Sequence, residues 1–234
     1  MVLKQQQEWY KHQQKMHVAV DCIIFGFSEG KLKLLVFRRK VEPLSGKWSL
    51  IGSFVKSNED VKSAAGRVLN KLTGLENIFL KELKCYSAVA RDPGQRCISI
   101  AHYALIDAED HNKQIVANHD AHWFTINELP QLVLDHTTMA LDALEALKVE
   151  ARYQPIGFEL LPERFTMPQL QSLYEAIYGK SLDSRNFRKK VNSFNVLLKT
   201  SDKDYSSSKK GAYLYRFDET RYNELVASGY DFVL

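Results

Sequence analysis

The chain has 234 residues, 45% of them hydrophobic and 26% charged, with a formal net charge of +4. That suits one large or two small domains with a real core, and the mild charge names no partner. No apolar run approaches the ~20 residues of a membrane span, and the Gln-rich first fifteen residues lack the apolar centre of a signal peptide, so a soluble cytoplasmic protein is expected. Cys22, Cys85 and Cys97 are odd in number and lack zinc-type spacing, which points to reduced thiols.

The first fifteen residues read as a short packing helix or a frayed end. Residues 17–27 form a strand, and Gly30 closes a turn into a second strand at 32–39. Residues 48–55 are a third extended piece. Residues 58–72 have helical spacing, with Val61, Ala65, Val68 and Leu72 on one stripe and Gly74 as a stop. Strand-like runs follow at 80–91 and 96–106, separated by the turn signal Asp92-Pro93-Gly94, and 122–124 adds a short edge strand. Asp135 is placed to cap a helix reaching Tyr153, with Ala140, Leu144, Leu147 and Ala151 on its buried stripe. Gln154-Pro155-Ile156-Gly157 breaks the pattern, since proline disfavours helical geometry in the residue before it. The chain therefore divides into residues 1–154 and 155–234.

In the second part, Thr166 and Gln169 match a capping box, with Phe165 and Leu170 as its hydrophobic staple. Leu170, Leu173, Tyr174 and Ile177 make a buried stripe, and Gly179 ends that helix. A tight turn leads to Asp183 as the next N-cap. The following helix carries Phe187, Val191 and Phe194 on its apolar face and Arg185, Arg188, Lys189 and Asn192 on the other, with Ser184 at its start. Two helices joined in this way make a helix-turn-helix. Strand runs at 196–200 and 212–217, linked by a polar loop with Lys203, Lys209 and Lys210, add a wing.

From Lys180 to Arg216, ten Lys or Arg stand against three Asp, so positive charge gathers where the second helix and the wing lie. Such a field attracts phosphates whatever the base sequence. A basic face is also a common solvated surface, but these features occur together and in order. They point to double-stranded DNA, contacted by Ser184, Arg185, Arg188, Lys189 and Asn192 on the helix and by Lys209 and Lys210 at the wing tip. A protein-binding adaptor is the alternative for this part.

In the first part, Glu59, Arg67, Leu69, Gly74 and Leu75 fall in register with G-x5-E-x7-R-E-U-x-E-E-x-G-U, where U is bulky and aliphatic. The opening glycine is displaced, with Gly52 and Ser53 in its neighbourhood. Val68, Lys71 and Leu72 occupy the three positions where the pattern has clustered glutamates. Those positions share one face of a helix. Mg²⁺ needs hard oxygen ligands in near-octahedral geometry, and an isopropyl, an ammonium and an isobutyl group offer none. No metal ligand, catalytic residue or cofactor is expected.

The pattern resembles the Nudix box. With FTMPQLQSLYEAIYGKSLDSRNFRKKV and the later AYLYRF, nearly the whole chain resembles the Nudix-related transcriptional regulators of bacteria, its C-terminal part being the more specific. The resemblance implies an α+β fold, with an N-terminal Nudix-like α/β/α sandwich and a C-terminal winged helix-turn-helix domain. It implies a homodimer that represses genes of NAD or sugar metabolism and leaves operator DNA when a small effector binds the Nudix domain. Family effectors are ADP-ribose and, in the gut-bacterial branch to which the chain looks nearest, the pentose arabinose. Arabinose is the first expectation; ADP-ribose sensing and an active Nudix hydrolase are the alternatives.

Effector contacts are sought among residues that interrupt the apolar pattern. Asp21 lies in an otherwise apolar strand and shares its face with His17. Arg39 ends the second strand, Trp48 offers a stacking surface, Glu59 is the surviving box carboxylate, and His102 interrupts another apolar strand. Each has a plain structural reading too: Trp48 as core, Glu59 paired with Arg67, Asp21 bonded to backbone amides. A sugar calls for carboxylates, amides and an aromatic platform. ADP-ribose also needs cations for its phosphates, which Arg38-Arg39-Lys40 can supply.

Overall fold

The computed structural model describes residues 11–109, 119–206 and 209–230; residues 1–10 of the expected N-terminal helix or frayed end lie outside this set. In chain order the elements are β1 (His17–Ser28), β2 (Lys31–Arg38), β3 (Trp48–Ser49), β4 (Ile51–Phe54), α1 (Val61–Thr73), β5 (Lys81–Tyr86), β6 (Cys97–Asp107), β7 (Ala121–Thr125), α2 (His136–Tyr153), β8 (Phe165–Thr166), α3 (Met167–Tyr178), α4 (Ser184–Ser193), β9 (Leu197–Asp204), β10 (Ala212–Phe217) and α5 (Glu219–Ala227).

The first part is built on β1. It runs parallel to β6 from His17↔Cys97 to Phe27↔Asp107. On its other edge it pairs antiparallel with β4 (Ala19↔Phe54 to Cys22↔Ile51) and with β2 (Ile24↔Leu35 to Ser28↔Lys31). The mixed sheet has the order β3-β2-β1-β6-β5, with β7 added on β2. Strand side chains alternate between the two faces. Val20, Cys22 and Ile24 pack with Ala64, Ala65, Val68 and Leu69 of α1. Ile23 and Phe25 pack on the opposite face with Met139, Ala143 and Leu147 of α2. A sheet between helices is the expected sandwich. The Asp60 carboxylate accepts from the Ser63 N–H to start α1, and Gly74 ends it at φ 77°, a left-handed conformation that suits glycine.

In the second part β8-β10-β9 form a three-stranded sheet against α3 and α4, which is a winged helix. The capping box is formed in both directions by Thr166 and Gln169, and Phe165 and Leu170 are both buried. Leu170, Leu173 and Tyr174 of α3 belong to the same apolar cluster as Phe25 and Leu34 of the large sheet. The two parts thus share a core. Gly157 allows the close approach: its φ is +79°, and a Cβ there would sit 2.9 Å from Leu173 Cδ2.

Several boundaries differ from the sequence reading. β5 stops at Tyr86, because the chain beyond turns away and Arg91 goes to a buried ion pair with Asp135. β9 extends to Asp204, which places Lys203 in a strand. β8 has only two residues, too few for a periodic signal. α5 went unread; its Tyr222 and Leu225 cover Phe194 and Val196 in a small satellite core. Phe187 is buried beneath α3, with its ring 5.7 Å from that of Tyr174. Phe187→Ala is therefore expected to destabilise the winged helix by about 3–5 kcal/mol, seen as a lower denaturation midpoint in a urea titration followed by circular dichroism.

Candidate effector cleft and nucleic-acid interface

Val68, Lys71 and Leu72 face a single cavity of about 340 Å³. Its other walls are Arg67 of α1, Phe37, Arg39, Lys40 and Val41 at the end of β2, Gly52 and Ser53 of β4, and His119. The three helix positions converge as their spacing requires, but among the described residues no carboxylate lines the cavity. Among the described residues, no three His, Cys, Asp or Glu side chains gather where they could hold a metal ion. The divalent cation implied by the Nudix resemblance does not fit this donor set.

Glu59, the acid that survives from the box, is turned inward to Arg67. Arg67 Nε donates to Oε2 at 2.8 Å and the Lys56 N–H to Oε1 at 2.8 Å. The guanidinium and the amide together hold the Glu59 carboxyl down at about 2. Arg67 also donates to the Phe54 carbonyl at 3.1 Å, tying the loop before α1 to the helix. Arg39 is held through its backbone: its N–H donates to Lys47 O at 3.0 Å, and its carbonyl accepts from Gly46 N at 2.8 Å. Its side-chain Nε is buried with no hydrogen-bond partner among the described residues.

Of the residues singled out in the sequence for the effector, Arg39 alone lines this cavity. His17 is exposed, its ring 4.9 Å from that of Phe54. Trp48 carries the Arg38 guanidinium 4.5 Å from its ring centroid and meets His122 and Phe124 edge-on. His102 is buried, with Nδ1 3.2 Å from the Ile100 carbonyl oxygen. Lys40, read in the sequence only as part of the Arg38-Arg39-Lys40 run, joins Arg39 in the wall, whereas His119 went unnoticed because it comes from a segment far from α1 in sequence.

Asp21 lies on the α2 side of the sheet, in a buried polar network. Ser99 Oγ donates to its Oδ2 at 2.6 Å, and Arg91 Nη2 lies 3.8 Å from the same oxygen. Arg91 donates to both carboxylate oxygens of Asp135, at 2.9 and 2.7 Å. Asp135 is the N-cap residue of α2 but makes no side-chain cap bond, because its carboxylate is taken by Arg91. His136 Nδ1 accepts from the Leu50 N–H at 3.1 Å, and Nε2 faces Asp21 Oδ1 at 3.6 Å. Gly52 is required beside this network, since a Cβ there would run into the Asp21 carboxylate.

Burial lowers the titration of His136 below its ordinary value, against the pull of Asp21 and Asp135, and burial also lowers that of His102. Between the folded and ordinary values the unfolded chain binds more protons. Stability is therefore full above about pH 6.5 and is lost as the pH falls toward the folded values. A melting temperature that declines from pH 7 to pH 5, with a shallower decline in His136→Asn, is the expected result of thermal unfolding across that range.

The helix-turn-helix is braced from within. Glu175 Oε1 accepts from the Leu182 N–H at 2.8 Å, and Gln171 Nε2 donates to the Leu182 carbonyl at 2.9 Å. α3 thus fixes the turn that aims α4. Asp183 caps α4 by accepting from the Asn186 N–H at 2.8 Å. Phe187 and Val191 are buried, whereas Ser184, Arg185, Arg188, Lys189 and Asn192 are exposed. Among the described residues, Arg185, Arg188 and Lys189 make no ion pair. On the wing, Lys199 and Lys203 sit 3.5 and 4.7 Å from the ring centroid of Tyr213. Lys209 and Lys210 are exposed near the hairpin tip. Arg216 is paired with Glu163 at 3.4 Å, and Asp202 with Arg164.

Fold and sites together define a two-part protein, a Nudix sandwich with a winged helix docked on it. The chain belongs to the NUDIX domain family, which matches residues 15–144, and residues 157–217 match the NrtR DNA-binding winged helix domain. It is 30% identical over 204 residues, 86% of this chain and 81% of the relative, to the ADPR responsive transcriptional repressor NtrR of Acinetobacter baylyi. It is 35% identical over 128 residues, 53% of this chain and 71% of the relative, to the ADP-ribose pyrophosphatase of Methanocaldococcus jannaschii. Shewanella oneidensis NrtR complexed with a 27mer DNA superposes with a TM-score of 0.75 at 25% identity, covering 92% of this chain and 97% of that one. These relatives do not support the arabinose-responsive branch expected from the sequence. No helix among the described residues is long and apolar enough to cross a membrane.

Proposed function

We propose that the chain is a ligand-responsive repressor whose Nudix part, residues 1–154, binds a nucleoside diphosphate derivative of the ADP-ribose type without hydrolysing it. Binding there releases operator DNA from the winged helix, residues 155–234. The observation that carries this reading is the cleft lining: Arg39, Lys40 and Lys71, with no carboxylate among the described residues opposite them. Cations suit phosphates, whereas a neutral pentose would call for acceptor carboxylates and more than the one aromatic ring of Phe37. The Acinetobacter baylyi relative, a repressor named for its response to ADPR, supports the same choice.

The pyrophosphatase relative keeps hydrolysis as the rival, but Val68, Lys71 and Leu72 provide no oxygen ligand for Mg²⁺. Incubation of ADP-ribose with the protein and Mg²⁺ is expected to release no AMP by chromatography. Mg²⁺-dependent turnover that disappears in Glu59→Ala would overturn the non-enzymatic reading.

On DNA, two copies would place α4 of each in successive major grooves, roughly 10 base pairs or a multiple apart. Fluorescence anisotropy with operator DNA tests the switch: ADP-ribose should weaken binding and arabinose should not. Release by arabinose alone would reverse the effector assignment. Arg185→Ala should cost on the order of 1–3 kcal/mol on the operator and narrow its advantage over scrambled DNA. Lys209→Ala should weaken both DNAs alike and make the salt slope shallower by roughly one unit.

A further inference from the structure

We infer that the cleft grips the diphosphate of its effector with fixed side-chain cations in place of a divalent metal, Lys71 standing where a metal-holding glutamate would be and Arg39 closing the grip from just beyond β2. The inference rests on the nucleoside diphosphate reading above and adds to it the means of recognition.

Position is the first support. Residues 68, 71 and 72 all line the one cavity, so the ammonium of Lys71 occupies the ground from which carboxylates would otherwise hold a cation against the phosphates. An ammonium there repels a divalent ion and attracts the phosphate directly. The carboxylate–metal–phosphate bridge becomes a single ammonium–phosphate contact.

Arg39 is the second support. Its Nε is buried with no hydrogen-bond partner among the described residues, and leaving a buried charged donor unsatisfied is costly. An acceptor oxygen from a ligand in the cleft would satisfy it. The backbone bonds to Lys47 and Gly46 hold the residue in place, so little order is lost when the contact forms. Arg67 cannot serve in this way, because Glu59 already neutralises it. The volume of about 340 Å³ lies at the lower end of the ~300–1,000 Å³ of small-ligand pockets.

Calorimetry on the full-length protein tests the inference, with ADP-ribose and inorganic pyrophosphate titrated in EDTA and again in excess Mg²⁺. Wild type is expected to bind both ligands in EDTA at least as tightly as in Mg²⁺. Lys71→Met and Arg39→Met should each weaken binding roughly 10- to 100-fold, and Lys71→Arg should restore most of it. Circular dichroism of each variant would confirm folding, which the exposed position of Lys71 favours. Binding that appears only with Mg²⁺, or a Lys71→Met variant that binds like wild type, would overturn the inference and leave the effector reading standing. Pyrophosphate binding in EDTA without ADP-ribose binding would uphold metal-free recognition and remove ADP-ribose as effector. Binding of neither ligand under any condition would remove both.

Discussion

A carboxyl group buried in the middle of a strand costs free energy unless its oxygens find partners, and the partners of Asp21 set out much of this molecule. Asp21 is 4% exposed in a strand that packs on both faces. Ser99 serves one oxygen and His136 faces the other. His136 is the first residue of α2, and Arg91, buried beside the same carboxylate, holds Asp135 immediately before it. Where α2 begins is thus decided by hydrogen bonds to the sheet and the 87–96 loop. At its far end, Glu150 accepts from Lys81 at 3.0 Å and from the Tyr103 hydroxyl at 2.7 Å. α2 is anchored at both ends, and α3 packs beside it.

The two sites use electrostatics in contrasting surroundings. On the proposed reading the exposed cations of α4 would meet DNA in water, where a phosphate contact is mostly counterion release. Arg39 stands in a partly dried wall of the cleft, where a charge–acceptor contact would be stronger and a missing one costs more. Lys71 lies between these cases, its stem on α1 and its head toward the cavity. If both proposals hold, one side-chain type would give diffuse attraction to a polymer at one end of the molecule and a defined contact to a small anion at the other.

Much of the fold was legible in the sequence because its signals are local. The capping box at Thr166, the stops at Gly74 and Gly179, and the stripe Leu170-Leu173-Tyr174-Ile177 depend on neighbours within one or two turns, and the structure shows each of them. The cleft was less legible. Period-two alternation says that His17 and Asp21 share a face but not which face bears the cavity, and theirs is the α2 side. Arg39, Lys40, Lys71 and His119 lie on three separated segments, and only tertiary packing brings them together. Lys71 did stand out, though as a lost ligand rather than as a charge with a use of its own. β5 was drawn too long because Arg91 reads as a strand end until its distant partner Asp135 is known.

Leu50, whose N–H bonds His136, is only two and three residues from Gly52 and Ser53 in the wall of the cleft. α2 has 18 residues, which at helical rise makes a rod of roughly 27 Å. Geometry alone magnifies what happens at its base: a tilt of ~5° about one end carries the other by about 2 Å over that length. A donor and acceptor parted by that much no longer form a hydrogen bond. Because Glu150 is bonded to Lys81 and to the Tyr103 hydroxyl near that far end, a tilt of this size would have to part both contacts, and the two anchors together make α2 a brace rather than a free lever.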